Sequence, residues 1–463
     1  MSKLVLYNTL SKKKETFNSL VPNKVSFYLC GVTVYDNCHI GHARAYIVFD
    51  TIRRHLMYLG YDVSFIQNFT DIDDKIIKRS SEKGVSWKAL VKTNISSFFE
   101  DMDALNILRA SVYPKATDHI REMISIIKDL MEKGIAYQAG DDVCFSVDAF
   151  EGYGKLSKKK LEDLVAGSRV EVSTEKKNPF DFVLWKPAKE GEPFWGSPWG
   201  KGRPGWHIEC SAMVKKLLGH TIDIHAGGED LVFPHHENEI AQSEGANNCT
   251  FVNTWMHVGF VNINDEKMSK SLNNFFTIRG VLESFDGETL RYFIMSSHYR
   301  SPLNFSDANL NNAKSSLTRL YTAIRGLHAS DAALNEVSQR FDFETRFNEA
   351  LDDDFNTPIA LSILFELAKL INSERSKDID QANALAQLLV KLGGYIGILQ
   401  MQADTFLKQG VALSDEDIDK KIKQRDEAKA NKDFATSDQI RDELTELGIV
   451  LEDSANGTSW RRG

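Results

Sequence analysis

The sequence lacks the features that mark membrane-spanning, secreted or fibrous proteins. No uninterrupted apolar run approaches the roughly 18 to 20 residues that a membrane-spanning helix needs. The opening stretch MSKLVLYNTL lacks the long apolar region of a signal peptide, and no internal repeat or low-complexity segment occurs. We therefore expect a cytoplasmic protein that does not cross a membrane.

Cysteine is also scarce, with five residues in a chain of 463. The number is odd and the spacing irregular, which argues against a disulfide framework and favours a reducing compartment. The five are Cys30, Cys38, Cys144, Cys210 and Cys249.

Positive charge does not dominate the chain, whose formal net charge is -9. This balance argues against a uniformly basic surface, so a nucleic-acid partner would have to be met by local Lys and Arg patches. With 42% hydrophobic and 26% charged residues, the composition is typical of an ordinary globular chain of two to four domains.

One βαβ unit is predicted near the start of the sequence. The segments VSFYLC (25–30) and DVSFIQNF (62–69) are apolar and rich in strand-forming residues, and the segment between them has apolar residues at helical spacing. Such a unit implies a parallel sheet, whose ligands bind outside the carboxyl ends of the strands. The segment YLCGVTVYDNCHIGH (28–42) falls at that edge.

The rest of the chain predicts an α/β protein with added domains. Proline and tryptophan concentrate between 179 and 206, which indicates an inserted subdomain of loops and short strands. Helical patterns follow from about 306 to 400, and the tail predicts two charged helices and a hairpin near Asn456-Gly457. We expect a Rossmann-type parallel-sheet domain with an inserted subdomain, then a helix bundle and a small α+β domain. The expected segments are 1–115, 116–204, 205–305, 306–408 and 409–463.

A paired-histidine turn follows the first strand of the unit. His39 and His42 lie three apart, near one side of the first helical turn, and Gly41 lets a ligand approach the backbone. The helix N-terminus offers N–H groups to phosphates. This pattern predicts a nucleotide platform without a G-x-G-x-x-G motif, although taken alone it also fits a helix cap.

The segment EKMSKS contains two lysines, Lys267 and Lys270, among small and polar residues. Alone it would be read as a solvated loop. Together with the paired-histidine turn, it supplies the cations that stabilise pyrophosphate as it leaves ATP.

These two motifs resemble the HIGH and KMSKS signatures of class I aminoacyl-tRNA synthetases. The resemblance is closest to the cysteinyl-tRNA synthetase family and covers nearly the whole chain. The segments that carry it are CGVTVYDNCHIGHARA, NFTDIDDKIIKR, NPFDFVLWKP, GRPGWHIECSAM, FPHHENEIAQSE, EKMSKSLNNFF, DDDFNTP and TSWRR. It implies ATP-dependent activation of L-cysteine and its transfer to tRNA(Cys). His39 and His42 would act with Lys267 and Lys270 in catalysis, and ATP would be held by His39, Gly41, His42 and Lys270.

The metal site is only partly defined by spacing. His235 and Glu239 lie four apart on a predicted helix, but His236 and Glu239, three apart, would serve nearly as well. From spacing alone, the cysteines are predicted to be small buried side chains. The resemblance implies one zinc ion per chain, held by Cys30, Cys210, His235 and Glu239, and leaves Cys38, Cys144 and Cys249 as packing residues. It also implies Mg²⁺ with ATP.

The resemblance further implies a cysteine-binding pocket with Thr33, Trp206, His225 and Asp230. The neighbouring Glu229 stands where relatives commonly have a small residue, and its effect is left open. For tRNA, we expect contacts from Arg441, Trp460, Arg461 and Arg462, and we expect the chain to act as a monomer.

Two other functions share part of this sequence pattern. An ATP-dependent cysteine ligase acting on a small amino-sugar, as in mycothiol synthesis, would share the catalytic half but would not need an anticodon-type region at 410–463. A zinc hydrolase built on HHENE would lack the H-E-x-x-H motif, and KMSKS has no place in hydrolysis.

Overall fold

The structure is a computed structural model that describes residues 3–159, 175–263, 266–267, 276–328, 331–409, 413–454 and 457–462. The chain divides into two compact units. The first comprises residues 1–311, 346–361 and 395–397, and the second comprises 312–345, 362–394 and 398–463. None of the described helices is both long and apolar enough to span a membrane.

The elements up to residue 305 all belong to the first unit. In chain order they are β1 (Val5–Asn8), β2 (Lys13–Thr16), β3 (Lys24–Thr33), α1 (Ile40–Tyr58), β4 (Asp62–Thr70), α2 (Asp74–Glu82), α3 (Trp87–Ala104), α4 (Ile120–Glu132), β5 (Ala136–Ala139), β6 (Asp142–Phe145), β7 (Phe182–Pro187), β8 (Trp195–Ser197), β9 (Gly200–Pro204), α5 (Ile208–Leu217), β10 (Ile222–Gly228), α6 (Glu237–Asn247), β11 (Val252–Val258), β12 (Val261–Ile263), β13 (Glu266–Lys267), α7 (Ile278–Leu282), α8 (Gly287–Met295) and β14 (Leu303–Phe305).

A four-stranded parallel sheet with the order β11-β10-β3-β4 lies at the centre of this unit. Of its inner strands, β10 is buried except at Gly228 and β3 is buried from Phe27 to Cys30, which agrees with the apolar FYLC segment at the centre of β3. The helix α1 crosses from β3 to β4, so the predicted βαβ unit and the α/β fold class are confirmed. The carboxyl ends of β3 and β10 lie next to each other, because these two strands pair in parallel.

A five-stranded antiparallel sheet, β5-β6-β7-β9-β8, occupies the part of the chain between the two halves of the parallel sheet. Phe145 and Phe182 stack on neighbouring strands with ring centroids 4.8 Å apart, and Trp185 is buried beside them. These side chains join one apolar core with α4, α5 and the central strands. The aromatic-rich stretch therefore packs as a layer against the helices and central strands of the parallel sheet.

After β14 the described chain is mainly helical until the terminal hairpin. Its elements are α9 (Asp307–Ile324), α10 (Asp331–Arg340), α11 (Phe343–Asp352), α12 (Thr357–Glu374), α13 (Ile379–Tyr395), α14 (Ala403–Lys408), α15 (Asp415–Ala430), α16 (Phe434–Glu446), β15 (Ile449–Ser454) and β16 (Gly457–Arg462). The strands β15 and β16 pair in antiparallel fashion, as predicted, although Asn456 in the turn lies outside the described residues.

The end of the chain has a small core of its own within the second unit. Ile418, Ile440, Leu444 and Trp460 are among the buried side chains that α15, α16 and the hairpin contribute to it. The hairpin is thus held against two helices whose outer faces are charged and exposed.

Candidate active site

Four potential metal ligands that are far apart in the sequence meet at the carboxyl ends of β3 and β10. Cys30 lies near the end of β3, Cys210 on α5, His235 in the turn before α6 and Glu239 in the first turn of α6, and all four are buried. The two sulfur atoms are 3.9 Å apart, and His235 Nε2 lies 3.7 Å from Cys210 Sγ and 3.1 Å from Glu239 Oε1. The four donor atoms all lie within 4.8 Å of one another.

A second set of donors shares two members with the first. Cys30, His225, His236 and Glu239 also bring their donor atoms within 4.8 Å of one another. His236 Nε2 is 3.2 Å from Cys30 Sγ, and His225 Nε2 is 2.9 Å from Glu239 Oε2. Both alternatives that spacing left open, His235 and His236, therefore reach the cluster.

The electrostatics of the cluster suit a cation. Burial raises the pKa of the Cys30 thiol and of the Glu239 carboxyl, and it lowers the pKa of His235. A low-dielectric site favours the neutral forms of these groups, whereas a divalent cation among them would favour thiolate and carboxylate. Two thiolates, an imidazole and a carboxylate are a donor set that zinc takes.

Further histidines contact these donors, and sequence reasoning missed them. His236 Nδ1 lies 2.7 Å from His257 Nε2, whose other ring nitrogen is 2.9 Å from Thr9 Oγ1. His207 Nδ1 lies 2.9 Å from His235 Nδ1. Burial lowers the pKa of His257 to about 3 and of His207 to about 4, so both rings are neutral near pH 7. Such partners orient metal-binding imidazoles, but they cannot be predicted from the spacing of residues in the sequence.

The paired-histidine turn forms the N-terminus of α1. The Gly41 N–H donates to His39 Nδ1 over 3.1 Å, and the His39 N–H donates to His42 Nδ1 over 3.2 Å. The two rings stack with centroids 3.7 Å apart. The helix-cap alternative is therefore correct as local structure. It is also compatible with the nucleotide platform, since both rings line a pocket in front of the helix.

This pocket has a volume of about 320 Å³ and will be called the reaction pocket. Its wall includes Cys30, Thr33, His39, Gly41, His42, Trp206 and Asp230. The Trp206 ring stacks on His235, with centroids 4.2 Å apart, and remains 39% exposed. His225 does not line the reaction pocket; it lies behind Glu239 and contacts its carboxylate.

The chain on either side of the KMSKS motif returns to this pocket. Val261 of β12 lines the pocket, and β12 pairs with β13, whose backbone includes Lys267. On the far side, the Ile40 N–H donates to the Phe276 carbonyl over 3.1 Å. Lys270 and the side chain of Lys267 lie outside the described residues, so their predicted roles stay predictions.

The four predicted tRNA contacts lie at the end of the chain. Arg441 Nη2 is 3.4 Å from Asp453, Arg461 Nε donates to Glu452 over 2.8 Å, and Arg462 lies on β16. Trp460 is only 2% exposed and belongs to the core of the hairpin, with Lys408 Nζ 4.9 Å from its ring centroid. Its indole therefore supports the hairpin in this structure and does not present an open stacking face.

Comparison with known proteins agrees with this site. Residues 16–315 match the family model described as tRNA synthetases class I (C) catalytic domain. Residues 346–400 match a DALR domain, and residues 414–461 match a cysteinyl-tRNA ligase anticodon binding domain. The methionyl-tRNA synthetase of Mycobacterium tuberculosis, solved with methionyl-adenylate, shares the fold with a TM-score of 0.57 at 16% identity, over 81% of this chain and 89% of that one. The catalytic unit is that of a class I aminoacyl-tRNA synthetase.

Relatives that match over the whole chain identify the family within this class. A cysteine–tRNA ligase of Tolumonas auensis is 53% identical over 463 residues, covering 99% of both chains. One from Francisella philomiragia is 54% identical over 461 residues, covering 99% of this chain and 100% of the relative. The chain belongs to the cysteine–tRNA ligase family.

Proposed function

We propose that this enzyme activates L-cysteine with ATP and transfers the cysteinyl group to the 3′ end of tRNA(Cys). The observation that carries the proposal is the position of Cys30, which belongs to the donor cluster and also lines the reaction pocket. One of the groups that would select a thiol, Cys30, therefore faces the same space as the groups that would hold a nucleotide. The names of the relatives supply the amino acid and the RNA.

In the first step, a carboxylate oxygen of cysteine attacks the α-phosphorus of ATP. The bond from that phosphorus to the bridging oxygen breaks, and pyrophosphate leaves with the electron pair. The N-terminus of α1, with His39 and His42, binds the nucleotide, and Lys267 and Lys270 neutralise the departing charge. Mg²⁺ would be bound together with the ATP phosphates.

In the second step, a terminal ribose hydroxyl of tRNA attacks the carbonyl carbon of the adenylate. A carbon–oxygen ester bond forms, the bond from the carbonyl carbon to AMP breaks, and the hydroxyl proton leaves with AMP or solvent. No side-chain nucleophile is needed, so the enzyme contributes positioning and charge stabilisation. Asp230, exposed on the pocket wall, would meet the α-ammonium group, with Thr33 and Trp206 beside the side chain.

Discrimination against serine is the reason for a metal at this site. An ordinary pocket separates near-isosteres by only about a hundredfold. Cys30, Cys210, His235 and Glu239 would hold one zinc ion, which would supply a Lewis acid that binds thiolate far better than a hydroxyl. His225, His236 and His207 keep these donors oriented through the contacts described above. On this basis the chain needs no separate editing domain, and efficient hydrolysis of mischarged tRNA by it would contradict that.

The remaining assignments rest on the family. We propose that Arg441, Arg461 and Arg462 bind the anticodon end of tRNA, with Trp460 supporting the hairpin that carries two of them. The region matched to an anticodon-binding domain disfavours the amino-sugar ligase, which would not need it. We further propose a cytoplasmic monomer with breaks near residues 115, 204, 305 and 408, which limited proteolysis and sedimentation would test.

The test is cysteine-dependent and serine-dependent ATP–pyrophosphate exchange, before and after chelation and after adding zinc back. We expect exchange with cysteine only, lost on chelation and restored by zinc. Cys210→Ser should weaken exchange and metal content, whereas Cys249→Ser, a half-buried cysteine outside both donor sets, should change neither. Equal use of serine would make the metal structural, and absence of exchange with either amino acid would overturn the proposed activity.

A further inference from the structure

One face of α3 carries buried polar side chains that the two reaction steps above do not use. Asn94, Phe98 and Asp101 follow one another at spacings of four and three residues, so their side chains lie on the same side of the helix. All three are buried. An amide and a carboxylate on a buried helix face are costly unless they have polar partners, so their partners indicate the role of this face. We call these three residues the inner face of α3.

The first two members of the inner face support the wall of the reaction pocket. The side-chain amide of Asn94 donates to the Val34 carbonyl over 2.9 Å, and Thr33, which precedes Val34, lines the pocket. The Phe98 ring packs edge-on against the ring of Tyr46, with centroids 5.8 Å apart. Tyr46 also lines the pocket. The inner face therefore lies behind the end of β3 and the first turns of α1.

The third member, Asp101, forms an ion pair with an arginine of α7. Arg279 Nε lies 3.0 Å from Asp101 Oδ1. The same guanidinium donates through Nη2 to the Ser97 carbonyl over 3.2 Å and also contacts the exposed carboxylate of Glu100. Burial raises the pKa of Asp101 to about 6, although Arg279 opposes the rise, so the carboxyl is mostly ionised at pH 7. The pair is thus an ionic contact between α3 and the start of α7.

The chain that leads into α7 pairs with the paired-histidine turn. The Ile40 N–H donates to the Phe276 carbonyl over 3.1 Å. The Ile278 N–H donates to the Cys38 carbonyl over 3.0 Å. These two main-chain bonds lie on either side of His39, whose ring caps α1 and lines the reaction pocket. A displacement of the start of α7 would therefore displace His39 as well.

We propose that Asp101 and Arg279 are positioning residues for the nucleotide-binding end of α1. Arg279 directly follows the paired chain, and its contact with Asp101 fixes that chain, and with it His39, against α3. Asn94 fixes the other side of the turn through Val34. Neither charged residue lines the reaction pocket, so their effect on the reaction passes through the turn. This inference rests on the proposed function, because it assumes that the turn binds ATP.

The first experiment measures cysteine-dependent pyrophosphate exchange in Asp101→Asn, in Arg279→Met and in the double variant. Asp101→Asn removes the charge but keeps the volume, and it leaves Arg279 its contacts with Ser97 and Glu100. We expect its maximal rate to fall about tenfold, because a small displacement of the turn misaligns ATP. The KM for cysteine should stay unchanged, since neither residue belongs to a donor set.

Arg279→Met should lower the rate at least as far, because it leaves a buried carboxylate without its cation. The double variant should lose no more than Arg279→Met alone, since both changes break the same contact. Glu100→Gln should have a smaller effect than Asp101→Asn, because the Glu100 side chain is 63% exposed.

The matched control is Asp103→Asn with Arg109→Met. These two residues form a second ion pair, which begins two positions further along α3, and both are exposed. Among the described residues, neither forms an ion pair or a side-chain hydrogen bond with α7. The control should therefore show the rate and the KM values of the unaltered enzyme.

The second experiment does not depend on catalysis. Amide hydrogen exchange at Ile40 and Ile278 measures the strength of the two main-chain bonds between the turn and the chain before α7. Asp101→Asn should lower the protection of both amides, whereas the Asp103/Arg109 control should leave it unchanged.

The two experiments together separate the outcomes. Missing pyrophosphate exchange in the unaltered enzyme would defeat the proposed function itself, and with it any role of Asp101 in nucleotide binding. A normal rate in Asp101→Asn would overturn the positioning role alone. So would a lower rate with full protection of the Ile40 and Ile278 amides, because the effect would then not pass through the turn. A raised KM for cysteine together with a lower melting temperature would also overturn it, because the change would then be a general loss of structure.

Discussion

Replacing Gly31 with alanine should displace the strand that presents Cys30 to the reaction pocket. Gly31 lies where the pairing of β3 with β4 shifts register between Leu29 and Val32, and its N–H donates to Asn68 Oδ1 over 2.8 Å. A Cβ atom at Gly31 would lie 1.6 Å from the Asn68 carbonyl oxygen, whereas real Cβ contacts stay beyond 3.0 Å. One backbone must therefore move by about 1.4 Å.

The displaced segment of β3 is the one that contributes residues to the reaction pocket. Cys30 precedes Gly31, Thr33 follows two residues later, and both line the reaction pocket. Because a shift of about 1 Å in a reacting group can cost about a hundredfold in rate, we expect cysteine-dependent pyrophosphate exchange to fall at least a hundredfold. Bound zinc should fall with it.

The assay pairs exchange rates and metal content with thermal unfolding. Gly196→Ala is the matched control, since a Cβ there meets no heavy atom within 4 Å, and it should behave like the unaltered enzyme. Circular dichroism separates local displacement from global unfolding. If the Gly31→Ala enzyme is folded, holds a full complement of zinc and exchanges at the normal rate, the reasoning about this strand is refuted.

Three further predictions concern stability. Arg291→Met should cost about 3 to 5 kcal/mol, because Arg291 is wholly buried and donates to Asp50 and to main-chain carbonyls, and chemical denaturation would measure the loss. Burial raises the pKa of Asp50, but the charges of Arg291 and Arg54 outweigh burial and hold this pKa below its ordinary value of 3.8. The stability that the ion pair contributes is therefore present above pH 3.8 and is lost as the pH falls further. The variant should therefore show a weaker acid dependence in urea melts, and an unchanged dependence would contradict the assignment. Arg425→Met removes two hydrogen bonds to Asp453, of 2.9 and 2.8 Å. The loss of stability in the second unit should be roughly 2 kcal/mol, less than for a fully buried pair because the Asp453 side chain is 37% exposed. Hydrogen exchange would measure this loss. Trp460→Ala should cost about 3 to 5 kcal/mol in the same unit, and a tRNA affinity lost without any loss of stability would instead favour direct stacking.

The sequence predicted those parts of the fold that depend on local pattern. The strands β3 and β4 and the helix between them follow from apolar spacing, and the terminal hairpin follows from its turn residues. The helix α2 was missed although it is amphipathic, because Asp74–Glu82 is short and its only apolar residues are the adjacent Ile76 and Ile77, which form no repeat at helical spacing. Asp73 caps this helix by accepting a hydrogen bond from the Lys75 N–H, and an aspartate at this position is a sequence signal that could have predicted the helix start.

The site was less accessible to the same reasoning. Spacing could not choose between His235 and His236, and the structure explains why, since both rings reach the buried carboxylate and thiol from one turn. His207 and His257 come from separate elements, so only the folded sheet brings them to the cluster. Trp460 shows the reverse problem, because an aromatic residue among arginines suggests a binding surface until its burial is known.

The separation of Cys30 from Cys210 has a consequence for how the protein is made. The two thiols are 180 residues apart, and a ribosome adds roughly 5 to 20 residues per second. The first thiol is therefore synthesised about 10 to 40 s before the second, and His235 and Glu239 follow later still. During that interval the nascent chain cannot assemble the proposed metal site, because three of its four donors have not yet been made. On the zinc proposal, zinc shortage would act late in biogenesis, on chains whose translation is already half finished.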